Sequence, residues 1–157
     1  MHVVSIWLTV CAVFTGGLLA GISLDKALVQ LPARARIGNA AYADFSRAAD
    51  LAAGLFWYPL LGILAPALAI AATVFVLVQR LPWSTSLPAY LAAGLAAFYV
   101  FTTSRAAPKM VRLRASNPDE AALAQTFKSF ERWHRVRFAG QLAAFISLLW
   151  SLVELIR

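Results

Sequence analysis

From Val3 to Leu24, and again from Leu51 to Val78, the chain runs without one charged side chain. An α-helix needs about 20 apolar residues to cross a hydrocarbon core of roughly 30 Å, and both stretches meet that length. Two shorter uncharged stretches follow, Leu87 to Ser104 and Phe138 to Val153. With 61% hydrophobic and only 13% charged residues in 157, the chain holds more apolar surface than a soluble domain of this size can hide. The reading is an all-α membrane-spanning four-helix bundle, antiparallel, forming a single domain over 1–157 with spans at about 3–24, 51–78, 87–104 and 134–153. Pro59 and Pro66 interrupt the second span, which must tilt, kink or begin in the headgroup layer. The first span is expected to be retained, because Met1-His2 supplies no basic leader and the apolar run is too long for a signal peptide.

The basic residues decide the orientation. Lys26, Arg34, Arg36 and Arg47 fall between spans one and two, and Arg105, Lys109, Arg112, Arg114, Lys128, Arg132, Arg135 and Arg137 between spans three and four. Only Arg80 and Arg157 of the 14 lie elsewhere. Positive-inside counting therefore puts loops one and three in the cytoplasm and both termini on the other side. The net charge of +7 does not point to nucleic acid, since the charges cluster between long uncharged stretches rather than on one face. A bacterial plasma membrane suits a short chain that favours Arg over Lys by 11 to 3.

Each cytoplasmic loop contains a candidate short amphipathic helix. In loop one, Gly38 to Asp50 places Tyr42, Phe45 and Ala49 on one side, a pattern suited to the membrane surface. In loop three, Asn117 can cap a helix with Pro118 in its first turn and Asp119 and Glu120 beside the helix N-terminus. Leu123, Phe127 and Phe130 then recur at spacings of four and three, giving an amphipathic lead-in to span four.

The antiparallel arrangement gathers Asp25, Lys26, Asp50, Arg105 and His134 at one cytoplasmic mouth. Asp25 follows Gly17 and Gly21 at spacings of four, on one helical face where the glycines admit a close neighbour or a second copy of the chain. Its carboxylate either faces water at the headgroups or is paired by Lys26 or a loop-three base. His134 and Gln141, seven residues apart, share a face that carries polarity about 10 Å deeper. Gln141 either cross-links helices or contacts a ligand, and His134 is either an interfacial residue or a proton-transfer group. Trp57, Tyr58, Phe98, Tyr99 and Phe101 are placed to line an apolar cavity just beneath the mouth, or else to pack.

No Cys-x-x-Cys, His-Glu-x-x-His or glycine-rich nucleotide loop occurs. The two histidines lie at opposite ends of the chain, which argues against bis-histidine haem ligation. The single Cys11 reads as a small apolar residue. No cofactor or metal site is expected.

Several segments together resemble the anthrone-oxygenase-like family of small integral membrane proteins, whose bacterial members are mostly known as a domain of unknown function. They are Thr15-Gly16-Gly17-Leu18-Leu19-Ala20-Gly21, Ser46-Arg47-Ala48-Ala49-Asp50 leading to Trp57-Tyr58-Pro59, the third span leading through Pro108, and Phe130-Glu131-Arg132-Trp133-His134-Arg135-Val136-Arg137. The likeness covers nearly the whole chain. It implies oxidation of an aromatic or polyketide-like molecule by oxygen without metal or flavin, in an apolar pocket with a base and a cationic group for the enolate. On that footing His134 is the expected base and Arg137 or Arg105 holds the oxyanion, with Asp25 at the same mouth. Trp57 and Tyr58 stack on the ring, with Tyr99 and Gln141 completing the pocket. The alternative is a non-catalytic bundle that binds an apolar ligand or assists a partner membrane complex. A secondary transporter fits less well, because four spans leave little room for inverted repeats.

Overall fold

The computed structural model describes residues 2–113 and 119–157. All regular structure among them is helical: α1 (His2–Asp25), α2 (Leu31–Ile37), α3 (Asn39–Ala48), α4 (Gly54–Val78), α5 (Trp83–Arg112) and α6 (Glu120–Ile156). Four helical stretches, 2–37, 39–78, 83–112 and 120–156, are long and apolar enough to cross a membrane. Their outer surface is apolar as well, with Trp7, Phe14, Ile63 and Ile156 among the large exposed side chains. A surface of that kind suits lipid contact.

Two of these stretches contain a wide π-helical turn. Lys26–Gln30 links α1 to α2, with the Leu31 N–H bonded five residues back to the Lys26 carbonyl. Pro32, which has no N–H to give, sits at the start of α2 and favours a local departure from the regular ladder. Ala49–Ala53 links α3 to α4, with the Gly54 N–H reaching the Ala49 carbonyl. Loop one is therefore helical almost throughout, and its one sharp break is Gly38, whose φ of 85° suits glycine. The span lengths read from charge alone are correspondingly extended: α5 continues past Ser104 to Arg112, and α6 runs unbroken for 37 residues.

The four long helices pack in a ring, with α1 against α4 and α6, and α5 against the same two. At one end, Ser5 of α1 accepts from Gln79 at the end of α4, and Val76, Ala89 and Leu155 close a small cluster. Thr73 Oγ1 of α4 donates to the Ala89 carbonyl of α5 at 2.8 Å. Ala12, Ala69, Ala92 and Ala96 continue the contact, their small side chains letting the backbones approach. A Cβ at Gly17 would lie 3.0 Å from the Phe145 ring, whereas one at Gly21 would meet nothing within 4 Å among the described residues, so the two glycines do not share one close contact there.

At the other end, α3 folds onto α6 and reaches the end of α5 through Arg47. Tyr42 is buried edge-on against Phe127 at 5.1 Å, while Phe45 is exposed. Leu123, Phe127 and Phe130 are all buried. Arg34 pairs with Glu131 at 3.0 Å, Asn39 donates to Glu120 at 2.6 Å, and Arg47 Nε donates to the Leu113 carbonyl at 3.1 Å. The N-cap of α6 is Asp119, which accepts from the Ala122 N–H at 2.8 Å. The proposed cap Asn117 and its neighbour Pro118 fall outside the described residues.

Candidate functional site

Between these two ends the helices line a cavity of about 660 Å³, within the range of small-molecule sites. Its walls are Leu19, Ile22, Ile63, Pro66, Ile70 and Val100, and its polar groups gather at the end nearer α3. The two π turns build that end. Lys26 opens the first, Asp50 lies in the second, and the two side chains form a buried ion pair. Tyr58 OH donates to the other Asp50 oxygen at 3.3 Å. Gly54 makes this approach possible, because a Cβ there would lie 2.7 Å from the Tyr58 ring and 3.0 Å from the Ala49 carbonyl oxygen.

His134 is fully buried on α6 and stacks on Phe130 at 5.5 Å. One ring nitrogen, Nε2, faces the Ser23 carbonyl at 3.1 Å, an acceptor only, so it carries the hydrogen. The other, Nδ1, lies 2.7 Å from Arg137 Nη2, a donor only, so its lone pair accepts. These partners define a neutral imidazole with both nitrogens engaged. Arg137 itself makes no ion pair with a carboxylate among the described residues, and its buried Nε has no hydrogen-bond partner there. Gln141, one turn further along α6, also lines the cavity with a buried, unpartnered Oε1. A site with one neutralised ion pair, one unmatched guanidinium and an apolar body is suited to a lipophilic molecule with an oxygen that is, or becomes, anionic.

The sequence-predicted residues divide cleanly. His134, Arg137, Tyr58, Tyr99 and Gln141 all line the cavity. Asp25 does not: it faces outward and accepts from Gln30 at 2.6 Å, while its neighbour Lys26 turns inward. Arg105 is exposed and sits over the Phe101 ring at 5.4 Å. Trp57 is 57% exposed and packs edge-on against Phe56 at 5.1 Å, outside the cavity lining. Phe98 and Phe101 are exposed too. Lys26, Asp50 and Phe130, none of them among the expected catalytic or substrate-contacting residues, contribute to the polar end. No group of three or more His, Cys, Asp or Glu suited to a metal ion occurs among the described residues.

The seam between α4 and α5 is open beside the cavity. Ile63, Ala67 and Ile70 repeat at four and three residues on α4, and each both lines the cavity and is exposed. Val100 and Val111 do the same on α5, with Thr103 and Ala107 half-buried between them.

Comparison with protein-family models, with curated proteins and with solved structures finds no match to this chain.

Proposed function

We propose that the protein is a multi-pass membrane protein, in a bacterial plasma membrane, that takes an apolar aromatic molecule into its cavity and oxidises it with molecular oxygen. The bundle is antiparallel, with the ends carrying most of the basic residues in the cytoplasm and both termini outside. The contacts of Ser5 with Gln79 and of Ser23 with His134 support the antiparallel order, and the basic clusters support the orientation. The observation that carries the functional reading is the meeting of His134 and Arg137 at the polar end of an apolar cavity.

In this reading a substrate oxygen takes over the Arg137 guanidinium. That exchange frees Nδ1 of His134 to accept an acidic C–H proton, and Arg137 holds the negative charge as it spreads onto the substrate oxygen. The carbanion carbon then bonds to oxygen, and loss of water leaves a new carbonyl. An anthrone methylene and O₂ thus give a quinone carbonyl and water, in balance. The resemblance supplies the reaction class, and the cavity supplies a base, a cation and a dry wall.

Oxygen uptake by membranes containing the protein and supplied with anthrone tests this reading. Wild type should exceed empty membranes, and Arg137→Gln should lose at least tenfold of the excess. Uptake no greater than that of empty membranes would favour the second reading, a non-catalytic bundle that binds an apolar ligand. The engagement of both His134 nitrogens favours that reading as it stands.

A further inference from the structure

We infer that the cavity is loaded sideways, through the seam between α4 and α5, by a molecule dissolved in the hydrocarbon of the bilayer. The inference rests on the membrane reading above and concerns the class of ligand rather than its reaction. The two helices are joined where Thr73 donates to the Ala89 carbonyl and alanines meet alanines. Beyond that contact the wall changes character. Ile63, Ala67 and Ile70 on one side and Val100, Ala107 and Val111 on the other face the cavity yet leave surface open to the outside.

No charged residue of the described chain lies on these two faces, whereas the polar end is closed by Lys26, Asp50, His134 and Arg137. An ion or a strongly hydrated solute meets apolar walls at the seam and would have to shed its water there. A hydrocarbon-soluble molecule meets no such cost, because it leaves one apolar medium for another. The ligand class that follows is a lipophile of the membrane phase, flat or flexible, with one oxygen function that ends at Arg137. Its acidic form need not exist until it arrives.

The test uses the full chain in phosphatidylcholine–phosphatidylglycerol vesicles, with Cys11→Ser, Ile63→Cys and Val100→Cys in one protein. Anthracene is the probe, and loading is the part of tryptophan-to-anthracene energy transfer that excess anthrone abolishes. Bridging the two cysteines with a bis-maleimide that contains a cleavable disulfide should slow loading at least tenfold, and reduction of the bridge should restore it. Capping each cysteine singly with a small maleimide alters the cavity wall without joining the helices and should slow loading far less than the bridge does. Loading at the unbridged rate in the bridged protein would overturn the lateral route and leave the cavity reading intact. Absence of anthrone-sensitive transfer in unmodified and wild-type protein alike would overturn both.

Discussion

Arg137 Nη2 donates to His134 Nδ1 at 2.7 Å across one turn of α6, so the side chain best placed to take a proton is already receiving one hydrogen bond from the side chain best placed to hold an anion. In the proposed reaction the two roles exclude each other until a ligand separates the side chains. Arg137→Gln should therefore loosen the ring of His134 as well as remove the cation. In a bound complex with an oxyanion, the His134 imidazole nitrogen resonances observed by NMR should move in wild type and stay in place in Arg137→Gln. Equal movement in both proteins would show that Arg137 does not gate the imidazole.

His134 also fills space. It is fully buried, stacks on Phe130 and ties α6 to the Ser23 carbonyl of α1. His134→Ala should cost about 2–4 kcal/mol from the lost packing and hydrogen bond, read as a lower Tm in detergent. His134→Phe should recover part of the packing and none of the activity. A His134→Ala protein as stable as wild type would contradict the burial.

The Lys26–Asp50 pair is buried on both sides and joins the two π turns. Removing one partner leaves an uncompensated charge, which costs about 3–5 kcal/mol, whereas apolar replacement of both is much milder. Lys26→Met and Asp50→Leu should each lower Tm sharply, and the double variant should lie above either single one. Strict additivity would mean that the pair is not coupled.

Gly54→Ala places a methyl group against the Tyr58 ring and the Ala49 carbonyl oxygen. The ring can swing away and surrender its bond to Asp50, but the carbonyl belongs to the backbone. A loss of about 1–3 kcal/mol is expected, only partly relieved by adding Tyr58→Leu. Complete relief in the double variant would assign the whole clash to the ring.

Orientation can be read by thiol labelling. With Cys11→Ser, a cysteine at Arg36 or Lys109 should react with a membrane-impermeant maleimide only when the cytoplasmic face is exposed, and one at Trp83 only from the other side. The reverse pattern would invert the topology.

Much of the architecture was legible because charge is costly in hydrocarbon: four uncharged stretches gave the four long helices. The face shared by His134 and Gln141 was legible for a similar reason, since seven residues bring an α-helix back to nearly the same side. The misplaced residues failed on a finer angle. Neighbours on a helix point about 100° apart, and at these places only one of the two lines the cavity: Tyr58 faces it while Trp57 is exposed, and Lys26 turns inward as Asp25 turns out. Arg105 likewise falls beside the buried Thr102 and Ala106 rather than among them. Polarity and aromatic character do not state which of two neighbours wins; packing does. The π turns were hidden further, because an i→i+5 hydrogen bond has no compositional mark of its own and Pro32 is only a hint of the first.

Those turns make the site depend on counting as well as on chemistry. Relative to a regular α-helix, a π turn holds about one extra residue, and everything beyond it is rotated by that residue's share of a turn. Deleting one residue from Lys26–Gln30 or Ala49–Ala53 could keep every polar side chain in the chain and still turn the ion pair out of register with the cavity. A lineage carrying such a deletion would retain its hydropathy profile and its charge pattern while losing the register of the pocket, so in this protein the spacing of residues is itself part of what builds the cavity.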